Sequence, residues 1–211
     1  AFMIPFIIWF PKTQEFAGII ASVLLLFTFG VWDDRSDISY RIKFGGQFLA
    51  ALTAVAVGDI RIEWIPFYST PLDSPWLSWP LTIFCLLAIT NAMNLADGLD
   101  GLAGGASILS FGLVGLLSYQ SGSYALLLMT LAVTGSILGF LRFNSHPARI
   151  FMGDTGSQFL GFILGIQVIL LTQKVNTAMS PALPLLILGL PVIDTVSVMV
   201  KRLSEGRSPF S

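Results

Sequence analysis

The chain has 211 residues, 55% of them hydrophobic and 11% charged, with a formal net charge of −1. Soluble domains carry roughly a quarter charged residues, so this composition, with a mean hydropathy of +0.81, excludes a water-soluble fold. Near-neutral charge points away from nucleic acid, and the single cysteine, Cys85, excludes an internal disulfide framework and reads as a small buried hydrophobe.

No cleavable leader with a positive n-region is visible at Ala1-Phe2-Met3-Ile4-Pro5. Both ends read as cut from a longer protein, and residues 1–211 read as a single transmembrane catalytic domain. A helix crosses the hydrocarbon core in roughly 20 residues. The apolar runs predict a partial first span over 1–11, then seven full spans near 16–32, 44–58, 79–95, 99–119, 123–141, 157–173 and 181–200. The expected fold is an all-α, polytopic membrane helix bundle.

Alternating these spans puts Arg35, Arg41, Lys43, Arg142, Arg149, Lys201, Arg202 and Arg207 on one side, against Lys12, Arg61 and Lys174 on the other. The positive-inside rule assigns the first side to the cytoplasm. The opposite side carries a longer loop over 59–78, whose Asp59-Ile60-Arg61-Ile62-Glu63-Trp64-Ile65 alternates polar and apolar residues as a short strand does. Trp64, Trp76 and Trp79 there fit an interfacial aromatic belt.

Three acidic clusters fall on the cytoplasmic side. An aspartate at a helix centre costs roughly 3 kcal/mol and less near the interface, so their convergence on one face needs a reason. The first cluster is Gly30-Val31-Trp32-Asp33-Asp34-Arg35-Ser36-Asp37. Adjacent carboxylates at a helix end repel unless a cation lies near, and Mg²⁺ on a phosphate is one solution; a solvated acidic loop is the equal alternative. The second is Asn91-Ala92-Met93-Asn94-Leu95-Ala96-Asp97-Gly98-Leu99-Asp100-Gly101, where Asn91, Asn94 and Asp97 recur at a spacing of three. A helix end aligns them on one side, suiting a ribose or base contact, unless Asp100 simply caps the next helix.

The third cluster is Phe143-Asn144-Ser145-His146-Pro147-Ala148-Arg149-Ile150-Phe151-Met152-Gly153-Asp154-Thr155-Gly156-Ser157. A helix beginning near Ser157 points its free amides at this spot, a favourable place for phosphate, although plain helix capping also accounts for the string. The lone histidine, His146, excludes a histidine metal site within the chain and reads as an interfacial spacer. Asp194, beside Pro191 in the last run, is an intramembrane acid that faces either a polar cavity or a broken backbone.

In this order, Asp33-Asp34, Asn94-x-x-Asp97-Gly98-x-Asp100-Gly101 and His146 through Ser157 resemble the motifs of the polyprenyl-phosphate N-acetylhexosamine-1-phosphate transferases, glycosyltransferase family 4. The resemblance runs from about Gly30 to Ser211. It implies transfer of a sugar 1-phosphate, N-acetylglucosamine 1-phosphate by the wording of Arg149 to Ser157, from a UDP-sugar to undecaprenyl or another polyprenyl phosphate, with release of UMP. The setting implied is the start of cell-envelope polysaccharide synthesis, in a bacterial inner membrane with the site on the cytoplasmic face.

The same resemblance implies Asp154 as a Mg²⁺ ligand, with Mn²⁺ as the substitute ion. It implies Asp33, Asp34 and Lys43 at the transfer centre, Lys43 contacting phosphate. Asn94, Asp97, Leu99, Asp100, Asn144 and Phe151 fall where the relatives grip the nucleotide, Phe151 against the uracil. A homodimer stays open. The family also carries initial helices, and a histidine-rich loop soon after the segment matching Gly206 to Ser211, that this sequence does not include.

A phosphate monoester has a second pKa of about 6, so the lipid nucleophile is largely dianionic at neutral pH. Bringing two anions together is the larger problem, and Mg²⁺ with Lys43 addresses it. Two rival readings are weighed. An intramembrane prenyltransferase would use Asp33-Asp34-x-x-Asp37 for diphosphate, but leaves Gly153-Asp154-Thr155-Gly156-Ser157 unexplained. An ion-coupled transporter would use Asp194, but predicts acids near the bilayer midplane.

Overall fold

The computed structural model describes residues 3–36, 38–65, 71–72 and 74–175, together with 183, 187–189, 193, 197, 200 and 204. Asp37 and Asp194, and with them most of the expected 181–200 span, lie outside the described residues. The described chain is helical: α1 (Met3–Trp9), α2 (Gln14–Ser36), α3 (Tyr40–Ala56), α4 (Pro75–Ala96), α5 (Leu102–Gln120), α6 (Tyr124–Asn144) and α7 (Gly153–Ile169). α7 runs on as a π-helical turn over Leu170–Val175.

Five of these, α2, α4, α5, α6 and α7 with its π turn, are long and apolar enough to cross a membrane. The expected partial span is the seven-residue α1, and the short 44–58 run is the 17-residue α3. The described residues therefore account for a polytopic membrane protein with five such helices, rather than for all seven full spans.

The packing order follows from apolarity. A helix that is apolar on every side belongs in the interior, and α7 is the one: 83% of its apolar window is buried, against 28–50% in the other four. It packs on α4, α2 and α5, while α2 pairs with α3 and α5 with α6. The α4–α7 contact is close because Gly161 has no side chain; a Cβ there would lie 2.7 Å from the Ile89 carbonyl oxygen and 2.8 Å from Thr90 Cα. Small residues permit such approach where lipid supplies no hydrophobic drive between helices.

The segment 59–65 is not the strand its alternation predicts. It is irregular, and its hydrogen bonds go to side chains, to one loop residue and to the Ala54 carbonyl of α3, which accepts the Ile60 amide. The Ile62 amide donates to Thr82 Oγ1 (2.8 Å), and Ser78 Oγ donates to the Ile62 carbonyl (2.7 Å). Gln173 Oε1 accepts from the Glu63 and Trp64 amides at 3.0 and 2.8 Å, and the Glu63 carbonyl accepts from Leu72. Buried backbone groups need partners of some kind, and α4 and the end of α7 supply them here. At this same end Lys174 pairs with Glu15 and Asp59, and Arg61 with Asp59 and Glu63.

Candidate active site

The up-and-down order brings six helix ends to the opposite pole: the ends of α2, α4 and α6 and the starts of α3, α5 and α7. All ten residues singled out by the resemblance lie on these ends or in the two loops between them, 97–101 and 145–152.

At the centre is an ammonium between carboxylates. Lys43, on the first turn of α3, pairs with Asp33 of α2 at 3.0 Å and with Asp154 of α7 in closer contact. Asn94 of α4 donates to Asp154 Oδ1 and to Ser157 Oγ, each at 2.8 Å. Asp154 also stands in the first turn of α7, where the helix dipole favours negative charge.

The start of α7 departs from expectation. The helix begins at Gly153, four residues before Ser157, because α2 provides its cap. Asp34 Oδ1 accepts the Asp154 amide (3.0 Å), and Asp34 Oδ2 accepts the Thr155 amide (3.3 Å) and hydroxyl (2.5 Å). Gly153 turns into the helix with φ 68°, a conformation glycine adopts without strain. Two amides of the first turn, those of Asp154 and Thr155, are thus taken by Asp34. The alternative of Asp100 as a cap also fails, since Gly101 holds the N-cap position of α5.

Beside this cluster lies an open cleft of about 310 Å³. Asn94, Asp97, Leu99, Asp100, Asn144 and Phe151 all line it, with Asp154, Gly98, Met152 and Gly153. Phe151 and Leu99 are 75% and 71% exposed, which leaves two apolar surfaces with no protein partner covering them. Asn144 is the opposite case. It is buried, its Oδ1 accepts from the Gly101 amide (3.1 Å) and its Nδ2 donates to the Ile150 carbonyl (2.9 Å), tying loop 145–152 to the start of α5.

Asp100 holds the same loop. It accepts from the Ala148 amide and contacts His146 Nδ1, both at 3.1 Å. The Ala148 N–H, then His146, lowers the Asp100 carboxyl below its usual range. Burial, then the charge of Asp154, pushes Asp97 up to about 6.

Among the described residues no three His, Cys, Asp or Glu side chains form a ready-made cage for a metal ion. The donors instead fit a hard cation that keeps water and phosphate ligands. Asp33 Oδ2 is buried beside the Lys43 ammonium, at 3.0 Å. Asp33 and Asp154 share the single ammonium of Lys43, and Asp97 lies close enough to feel the charge of Asp154, so carboxylates outnumber the cation that faces them.

The sequence reading missed Thr155 as a partner of Asp34 and Ser157 as a partner of Asn94. It also passed over Gln47 of α3 and Gln158 of α7, two buried amides hydrogen-bonded to each other at 3.0 Å. The signal was available: a glutamine inside an apolar run stands four residues after Lys43, and another four residues after Asp154.

The sequence profile of glycosyl transferase family 4 matches residues 16–172. A probable undecaprenyl-phosphate N-acetylglucosaminyl 1-phosphate transferase from Bacillus subtilis is 37% identical, over 92% of this chain and 54% of its own length. The undecaprenyl-phosphate alpha-N-acetylglucosaminyl 1-phosphate transferase of Yersinia pestis is 33% identical over 98% of this chain and 58% of its own. A phospho-N-acetylmuramoyl-pentapeptide-transferase from Geobacillus kaustophilus is 38% identical over 82% and 53%. The chain thus spans about half the length of these curated relatives.

Proposed function

The chain belongs to glycosyl transferase family 4, and from that premise we propose that it transfers N-acetylglucosamine 1-phosphate from UDP-N-acetylglucosamine to undecaprenyl phosphate, releasing UMP, on the cytoplasmic face of a bacterial inner membrane. The observation that carries the reading is the junction of two unlike half-sites. A cleft with an uncovered aromatic face at Phe151 adjoins a carboxylate–ammonium cluster through the shared residue Asp154. A uridine diphosphate sugar has that same division, a flat base at one end and a diphosphate at the other.

In this reading Phe151 and Leu99 hold the base, and Asn94 and Asp97 contact the ribose and diphosphate. Asn144 and Asp100 shape the loop that carries Phe151. Asp154 and Asp33 would hold Mg²⁺, with phosphate and water completing its shell. The ion supplies charge neutralisation for the transferring phosphoryl group. Lys43, which stands between these carboxylates, would pair with the lipid phosphate. The acceptor is already mostly dianionic near neutral pH, so positioning and charge stabilisation carry the reaction and no strong base is required.

The prenyltransferase alternative loses support, since Asp33 and Asp34 point to different partners. The transporter alternative rests on Asp194, outside the described residues. The test is direct: membranes containing the full-length protein are incubated with UDP-N-acetylglucosamine, undecaprenyl phosphate and Mg²⁺. UMP and a lipid-linked sugar are expected, both abolished by chelator. Absence of UMP with every UDP-sugar tried rejects the function, and unchanged turnover in excess chelator rejects the metal.

A further inference from the structure

We propose that Gln47, Gln158 and Asn91 form a neutral amide tier, one helical turn beneath the charged cluster, that positions Lys43, Asp154 and Asn94. The proposal rests on the reading above only for its kinetic arm. The spacing is the first observation. Gln47 follows Lys43 by four residues on α3, Gln158 follows Asp154 by four on α7, and Asn91 precedes Asn94 by three on α4. Residues three or four apart share a helix face, so each amide lies under one member of the cluster.

The bonding is the second observation. In the upper tier Lys43 and Asn94 both donate to Asp154. In the lower tier Gln47 Nε2 donates to Gln158 Oε1 (3.0 Å) and Asn91 Nδ2 donates to Gln47 Oε1 (2.8 Å). The same three helices are therefore cross-linked twice, once by charge and once by directional amide bonds. Gln47 and Gln158 are each 2% exposed, where a lost partner is expensive.

Apolar burial is non-directional, whereas hydrogen bonds between buried amides constrain both distance and angle. The upper tier of carboxylates, one flexible lysine and the Asn94 amide has a weaker constraint of its own, because its bonds must change when substrate or cation enters. The lower tier holds the three helix ends in register through that exchange.

Full-length protein in detergent carrying Gln47→Leu, and Gln47→Leu with Gln158→Leu, tests this with two readouts. Trace acetylation read by mass spectrometry reports the accessibility of individual lysines without reference to the reaction. Lys43 should label several-fold faster in both variants, while Lys174, held by Glu15 and Asp59 at the far end, keeps its wild-type rate. Turnover should fall about 10–100-fold, the usual scale for a supporting shell, with nucleotide KM within about threefold. The double variant removes both glutamines, and Asn91 keeps its bond to the Leu87 carbonyl, so its Tm should return toward wild type while kcat stays low.

Unchanged Lys43 labelling overturns the proposal, as does faster labelling of Lys43 and Lys174 together, which marks general loosening. Recovery of both Tm and kcat in the double variant overturns it too. A wild-type protein that releases no UMP rejects the proposed reaction, and the labelling still decides the positioning role.

Discussion

Replacing Lys43 by methionine removes one positive charge and keeps most of the side-chain volume. Two charges 3.0 Å apart, at an effective dielectric constant near 20, attract by about 5.5 kcal/mol before desolvation. Deleting one partner of a buried pair typically costs about 3–5 kcal/mol, because the other charge stays behind. The Asp33 side chain is only 7% exposed and cannot rehydrate, whereas that of Asp154 is 39% exposed and can. The lower end of the range therefore applies, about 3 kcal/mol. For a chain of this size that lowers Tm by roughly 6–12 °C. Tryptophan-fluorescence melting in detergent, using the five native tryptophans, measures it. Lys43→Met with Asp33→Asn should recover at least half of the loss while remaining inactive. Added Mg²⁺ should raise the Tm of Lys43→Met more than that of the wild type. A Lys43→Met protein that melts with the wild type, or an Asp33→Asn change that adds its own loss to the first, refutes the ion pair as a stabilising contact.

Asp34→Ala should cost about 1 kcal/mol, the usual value of an N-cap, seen as a lower Tm, and should lower turnover because Asp154 is the residue its carboxylate holds in place. Phe151→Ala should weaken UDP binding by about 1–3 kcal/mol, the value of one base–aromatic stack, by calorimetry, whereas Asp33→Asn should lower kcat with UDP affinity nearly unchanged. Asp97 should give the metal-free protein a pH-dependent stability. Its folded pKa, about 6, lies above the ordinary aspartate value of about 3.9. The folded state therefore binds the extra proton, and the associated stability is full below about pH 4 and lost as pH rises through about 6. Melting from pH 4 to 7 should show that component in wild type and not in Asp97→Asn.

Five of the seven expected full spans were legible because the length of an apolar run is a local property. The 59–65 segment was not, because alternation of polar and apolar residues records which side chains face inward and says nothing about what pairs with the backbone. Its partner proved to be Gln173, about 110 residues away. The six residues assigned to the nucleotide do meet in one cleft, as motif order and helix alternation led one to expect. Their division of labour was hidden. Asn144 looks like a ligand contact until the Gly101 amide and the Ile150 carbonyl are seen to occupy its side chain. Asp100 differs from Asp97 in the same way, by contacts with Ala148 and His146 that depend on how loop 145–152 folds back.

Adjacent acids were read as a pair because they are adjacent in sequence. On a helix with 3.6 residues per turn, neighbours point about 100° apart, and residues i and i+1 do not face one another. Asp33 and Asp34 therefore could not both reach one ion from a straight α2 without bending it. The structure uses the divergence. Asp33 turns inward, is buried, and meets the ammonium of Lys43. Asp34 turns toward α7 and accepts the Asp154 amide and the Thr155 amide and hydroxyl, which lets that helix start at Gly153 and sets Asp154 in its first turn. One carboxylate contributes charge to the cluster while its neighbour fixes the backbone of the third acid. Substitutions at the two positions should then fail differently. Asp34→Asn keeps one acceptor oxygen for the α7 amides and should retain part of its activity, whereas Asp33→Asn keeps the fold and loses the charge that the cluster uses. Equal loss at both positions, with equal change in Tm, would show instead that the two acids act as one unit.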